Sequence, residues 1–188
     1  MTMTNQRRLF IAVNLPTDVK GQLHQLQRQL YVLGGGIKWV EPYNFHITIK
    51  FLGETDQQQL SVLEGALAQS VIGINPFGLH LNKLGTFPQR GTPRVVWVGL
   101  GGDINCLKTL QQQVEHRLAA VGFAPEKRKF SPHLTLGRVK TNVDGLLTAI
   151  TTIKALDVNF AVNSVELMQS VLTGKGPVYS RLASYGLG

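Results

Sequence analysis

Cysteine is nearly absent: Cys106 is the only one in 188 residues. That excludes a disulfide framework and a thiolate zinc site. Long apolar runs are missing too. None approaches the roughly 20 residues that a membrane-spanning helix needs, and Met1 to Arg8 hold no apolar segment of a secretory signal. A cytoplasmic location is the expectation, with no membrane partner. Acidic residues are scarce, 11 Asp and Glu against 19 Lys and Arg, for a net charge of +8 and a pI near 9.9. Such a surplus aids solubility, and it also attracts polyanions, because basic side chains displace phosphate counterions. A phosphate-binding loop is absent as well. Gly34-Gly35-Gly36 is followed by neither a Lys-Ser/Thr pair nor a helix start, and reads as a turn.

What is present is a repeated pattern. Asn44 to Leu52 alternates with period two, as a strand does. Phe45, Ile47, Ile49 and Phe51 fall on one face, expected in the core. His46, Thr48 and Lys50 fall on the other, close enough along a strand to share one small anion. Ser131 to Arg138 repeats this: Ser131, His133 and Thr135 on one face, Pro132, Leu134 and Leu136 on the other. Two of only five histidines thus begin a His–aliphatic–Thr–aliphatic run. The second follows the basic cluster Lys127-Arg128-Lys129; another cluster is Arg7-Arg8.

The remaining chain alternates strands and helices. Strands are expected at Arg8–Leu15, Ile37–Glu41, Phe77–Leu84, Val95–Leu100, Val158–Leu172 and Val178–Tyr185, besides the two histidine strands. Apolar stripes place helices after Pro16-Thr17-Asp18, over Asp56–Val71, from Asp103 to about Val121, and over Val143–Ile153. Thr17 or Asp18 is expected to cap the first. The order approximates β-α-β-β-α-β-β-α-β-α-β-β. Adjacent strand pairs argue against a purely parallel sheet and for an α+β fold with antiparallel sheets. The similar setting of the two histidine strands suggests two related halves. We expect one domain over residues 1–188 with two lobes, and residues 1–6 frayed.

Paired imidazoles suit a displacement in which one proton enters and another leaves. Histidine exchanges protons near neutrality, and general acid–base help is worth roughly 10²–10⁴ in rate. Threonine hydroxyls can donate to phosphate oxygens, and a nearby cation can offset charge building on phosphorus. This chemistry calls for no metal and no cofactor. From residue types alone, either imidazole could be the acid.

His46-Ile47-Thr48-Ile49 and His133-Leu134-Thr135-Leu136 resemble the paired motifs of the 2H phosphoesterase superfamily. With Arg8 to Val13, Trp39 to Gly53, Pro93 to Gly99 and Phe130 to Arg138, the chain is similar to its RNA 2′,3′-cyclic phosphodiesterase group, also called 2′-5′ RNA ligase. The resemblance implies a bilobal fold, two pseudo-symmetric lobes whose antiparallel sheets line a cleft, with helices outside. It implies opening of RNA 2′,3′-cyclic phosphates to 2′-phosphomonoesters, with His46 as proton donor, His133 as proton acceptor, and Thr48, Thr135 and Arg138 on the phosphate. Strict alternation puts Arg138 on the apolar face, so that role requires a twist after Gly137. The reverse reaction, 2′-5′ ligation, ranks second because RNA ends are dilute and water abundant. The implied partners are RNAs with cyclic ends, tRNA fragments among them, or small cyclic nucleotides, met by a monomer. Alternatives are a phosphodiesterase of linear 2′-5′ bonds or small cyclic nucleotides, and a non-catalytic RNA- or nucleotide-binding module.

Other residues carry weaker readings. His24, His80 and His116 read as structural, and zinc at His46 and His133 lacks a third ligand at suitable spacing. Lys50 is balanced between solvent and phosphate. Trp39 and Trp97 read as core, Phe51 as core with stacking on a base as the alternative, Tyr179 as strand packing rather than a nucleobase platform, and Phe87 and Arg90 as loop residues with substrate contact as the alternative.

Overall fold

The computed structural model describes residues 5–154, 157–174 and 176–188. β1 (Gln6–Asn14) leads through α1 (Thr17–Gln29) to β2 (Ile37–Trp39) and β3 (His46–Asp56). Then come α2 (Leu60–Ser70), β4 (Phe77–Phe87), β5 (Val95–Gly102), α3 (Ile104–Ala119) and β6 (His133–Val139). α4 (Leu146–Thr152), β7 (Asn159–Val162), β8 (Ser164–Thr173) and β9 (Gly176–Gly186) complete the order. Residues 1–4 lie outside the described residues, but Gln6 already pairs with Asp56, so the expected fraying stops short of it. Helix α1 follows Pro16 without a side-chain cap; Asp18 sits in its first turn, where a negative charge suits the helix dipole.

The α+β expectation holds. All nine strands join one antiparallel sheet in the order β7-β4-β5-β6-β3-β1-β8-β9, with β2 added to β6. The order divides into two four-stranded halves that meet where Ile47 of β3 pairs with Leu134 of β6. The single β-like stretch expected over Val158–Leu172 is two strands. Asn163 alone separates β7, which pairs with β4, from β8, which pairs with β1. One residue cannot link an edge strand to one five strands beyond its neighbour in a flat sheet, so the sheet curls.

One sheet face is packed by helices. Leu23 and Leu26 of α1, Leu63 and Leu67 of α2, and Leu107, Leu110, Val114 and Leu118 of α3 are fully buried. They meet Leu9, Ile11, Ile47, Ile49, Val96, Val98, Leu134 and Leu136 of the strands in one core. Each fully buried aliphatic side chain contributes about 1.5–3 kcal/mol. The opposite face is left for the cleft.

Two β-bulges decide which side chains reach it. On β3, Thr48 pairs with Ala12 but Lys50 with Ile11, so Ile49 is the extra residue. On β6, Thr135 pairs with Trp97 but Gly137 with Val96, so Leu136 is extra. A bulge turns the alternation over from that point. Lys50 therefore enters the helix-packed side rather than sharing the face of His46. It is 4% exposed, bonded to Glu115 of α3 at 2.6 Å and to the Ala124 carbonyl at 2.8 Å. Phe51 moves the other way and is 66% exposed, not core. Gly137 occupies the position on β6 that Lys50 has on β3; a Cβ there would stand 2.6 Å from Ile37 and 2.9 Å from Trp39.

The β6 bulge is held by a buried amide. Gln27 Nε2 donates to the carbonyls of Val40 (2.8 Å) and Leu136 (3.0 Å). Its Oε1 faces His24 Nδ1 at 3.1 Å and accepts from the Tyr31 hydroxyl at 3.0 Å. Gln27→Leu keeps the volume but removes both donations: the Leu136 carbonyl keeps the Val40 N–H at 2.8 Å, while the Val40 carbonyl loses its side-chain donor. An unsatisfied buried carbonyl costs about 1–3 kcal/mol, so the denaturant midpoint should drop accordingly. An unchanged midpoint would mean that the bulge stands without this amide.

Candidate active site

His46 opens β3 and His133 opens β6. An antiparallel pair has a local two-fold axis, and the one through Ile47 and Leu134 relates His46 to His133 and Thr48 to Thr135. By this register Thr135 lies opposite His46 and Thr48 opposite His133. The histidines are diagonal neighbours, with about 7–8 Å between such positions. All four side chains are half-buried on the face away from the helices.

Both imidazoles are anchored alike. His46 Nδ1 lies 2.7 Å from the Asn44 carbonyl, and His133 Nδ1 lies 2.7 Å from that of Ser131. A carbonyl only accepts, so each Nδ1 carries the hydrogen and each Nε2 is left for chemistry. His46 Nε2 lies 3.0 Å from the Thr48 hydroxyl. Each ring also meets an aromatic edge to face: Tyr179 against His46 (5.4 Å, 83°) and Phe87 against His133 (5.0 Å, 87°). Phe10 packs on both His46 and Tyr179 at 4.9 Å.

The setting of His46 alters its electrostatics. Burial, above all, pushes His46 down from 6.5 to about 4. Its bond to the Asn44 carbonyl opposes this, while the positive fields of Lys20 and His133 add to it. That His133 acts on His46 at all attests to their proximity. Lys20 donates to the Tyr43 carbonyl at 3.0 Å. Burial lowers its pKa and nearby Glu166 raises it. Glu166 pairs with Ala12 across β8 and β1, is 4% exposed, and meets Arg181 at 3.3 Å.

Arg138 pairs with Val95 and Lys38, on the face of Trp97 and Thr135. The Leu136 bulge supplies the turn that strict alternation withheld, and Arg138 is exposed on the cleft side. Trp97 is not core either. It pairs with Thr135 and Gly85, and a Cβ on Gly85 would overlap its indole. Phe87 lies 5.1 Å from it, so Trp97, Phe87 and His133 form one aromatic cluster. Trp39 is partly buried against the core and Tyr31, as expected. Arg90 is exposed in its loop. His116 is exposed on α3, His24 bonds Gln27, and His80 lies over Gly101.

Several cleft residues escaped the sequence reading. Tyr179 does pack, but on His46. The β8–β9 hairpin brings it there by curling over the cleft, where Asn44 Nδ2 bonds the Pro177 carbonyl at 2.9 Å. Lys20 and Glu166 gave no periodic signal, because they arrive from a helix and a distant strand. Among the described residues no group of three or more His, Cys, Asp or Glu could hold a metal ion, and no helix is long and apolar enough to cross a membrane.

The family model for LigT-like phosphoesterases matches residues 13–97 and 104–179. An RNA 2′,3′-cyclic phosphodiesterase of Aeropyrum pernix is 38% identical over 165 residues, covering 86% of this chain and 93% of its own. One of the same name from Methanocaldococcus jannaschii is 36% identical over 175 residues, covering 92% and 96%. LigT of E. coli, solved in complex with 3′-AMP, matches with a TM-score of 0.79 at 25% identity, covering 97% and 98%. On the matched strands, the paired motifs and these likenesses together, the chain belongs to the LigT-like phosphoesterase family and is an enzyme of that family.

Proposed function

We propose that this phosphoesterase opens 2′,3′-cyclic phosphates at RNA ends, leaving 2′-phosphomonoesters, by acid–base catalysis between His46 and His133. The observation that carries the reading is the matched pair of imidazoles, each with Nδ1–H tied to a backbone carbonyl, which leaves Nε2 of His133 unbonded and turns Nε2 of His46 to the Thr48 hydroxyl. The names of the Aeropyrum and Methanocaldococcus relatives support the substrate.

Water attacks phosphorus as His133 Nε2 takes its proton. The phosphorus–O3′ bond breaks as His46 Nε2–H gives a proton to the departing oxygen. The products are a 2′-phosphate and a free 3′-hydroxyl. Thr48 and Thr135 donate to the non-bridging oxygens, and Arg138 offsets the charge on them. Charge is neutralised by these groups alone, so the reaction proceeds without a metal or cofactor. Run in reverse with a 5′-hydroxyl in place of water, the same steps join two ends through a 2′-5′ bond. Water outcompetes that hydroxyl when ends are dilute, so ligation is secondary.

His46 is neutral in the free protein at neutral pH, since burial holds it near 4. A donor must be charged. The phosphate brings a negative charge beside the ring, which favours the imidazolium and raises its pKa. Protonation of His46 thus accompanies substrate binding. Followed by NMR, the His46 ring of the free protein should titrate near 4, and above that value once a 2′-nucleotide saturates the cleft. A free ring that titrates at 6.5 or higher would remove this coupling.

Truncation tests the chemistry itself. His46→Ala and His133→Ala should each lower kcat for 2′,3′-cyclic AMP by about 10²–10⁴ while the fold persists by circular dichroism. The assay includes EDTA and identifies the phosphate position in the product. Normal turnover by either folded variant would defeat the acid–base assignment. Tight RNA binding without turnover in the parent protein would favour a binding module.

A further inference from the structure

The leaving oxygen fixes which way the RNA lies, on the reading of function given above. In-line displacement sets the departing O3′ opposite the attacking water. If His46 serves O3′ and His133 serves water, the terminal ribose sits on the His46 half of the cleft. The RNA has no chain beyond its cyclic phosphate, so everything else extends in the 5′ direction from that half.

The His46 half offers a track for it. From Thr48, the next cleft-facing residue on β3 is Phe51, turned outward by the bulge and 66% exposed. Phe51 lies opposite Phe10, which is buried beneath Tyr179 and Phe51 at ring distances of 4.9 and 6.4 Å. Two residues further along β1 comes Arg8, exposed and pointing to the same side as Phe10. Glu54 stands opposite Arg8 in the ladder, yet the two form no ion pair. Arg8 and Arg138 both lie close enough to the Tyr179 hydroxyl to act on it electrostatically. From Ala12, beside Thr48, to Arg8 is about 13 Å along the strand, the span of a nucleotide or two.

An exposed aromatic followed by an unpaired cation is what single-stranded RNA needs: a face on which a base stacks, then a partner for the next phosphate. We infer that Phe51 and Arg8, with Tyr179 as the inner wall, form a subsite for the nucleotides on the 5′ side of the cyclic phosphate. The enzyme then prefers an RNA end to a free cyclic nucleotide. Phe51 takes the terminal base and Arg8 the phosphate that precedes it. The Phe87–Trp97 pair, on the His133 half, is left to the attacking group.

The test compares 2′,3′-cyclic AMP with a five-residue RNA ending in the same cyclic adenosine phosphate. Arg8→Gln should lower the preference for RNA, the ratio of the two kcat/KM values, about tenfold. It should also flatten the salt dependence for the RNA by about 0.7 in log–log slope, one phosphate contact on a single strand. Phe51→Ala should lower kcat/KM about tenfold on both substrates, mainly through KM. Active variants whose RNA preference and KM values stay within twofold of the parent's would overturn the subsite and leave the catalytic reading standing. A loss of RNA preference in Phe87→Leu but not in Arg8→Gln would reverse the polarity and overturn it as well. Failure of the parent protein to open either substrate would remove the catalytic reading and the subsite together.

Discussion

Ile47 and Leu134, both fully buried, form the single ladder pair between β3 and β6, and the site is disposed around that contact. Strand side chains alternate, so a slip of one residue would send His46 and Thr48 into the helices and Ile47 into the cleft. Burial of the two aliphatic residues in the shared core is therefore what orients the cleft face. The local two-fold then gives both halves the same geometry: one imidazole, one threonine two residues on, and the partner's threonine across the gap. Neither half could surround a phosphate alone.

The bulges extend that constraint outward. Each lies one residue past its threonine, so the two halves are disrupted at equivalent points. A bulge leaves ladder groups unpaired, and buried polar groups must find partners. The β6 bulge uses Gln27, an uncharged amide with every bond made. On β3, Lys50 is itself turned inward, and Glu115 matches its charge. Burying an ion pair costs desolvation that its Coulomb attraction barely repays. The gain lies elsewhere: with Lys50 drawn inward, the cleft keeps Phe51 on one half and Arg138 on the other. The same backbone device delivers an aromatic to one lobe and a cation to its mate.

Legibility in the sequence ended at those bulges. Through His46-Ile47-Thr48 and His133-Leu134-Thr135, alternation assigned every face correctly, and the helices were marked by their Leu stripes. Beyond them, period-two reasoning assigned Lys50 to the cleft and Phe51 to the core, both inverted. It set Arg138 on the wrong face for the same reason. No local residue announces a bulge at Ile49, since its partner strand decides it. Trp97 was misread because an apolar residue between valines looks buried. The available hint was Gly85, whose missing side chain makes room for an indole on the cleft face. Tyr179 and Lys20 could not be found by pattern, because only the curl of the sheet and the course of α1 bring them to His46.

The two-fold relation is broken around the imidazoles. Identical imidazoles in identical surroundings would share one proton affinity, and only the substrate would then decide which is acid and which is base. Here the β8–β9 hairpin covers His46 with Tyr179, Phe10 lies against it, and Lys20 adds its field, while His133 meets Phe87 at a more open edge. The surroundings, not the motif, therefore set the resting proton count of His46. Covering His46 disfavours its charged form until an anion arrives. On the proposed reading, a phosphate between the two strands is the anion that favours the charged ring near neutral pH. The same hairpin that withdraws His46 from solvent would then couple its protonation to occupancy of the cleft, and on that reading the repeated motif becomes a directional pair.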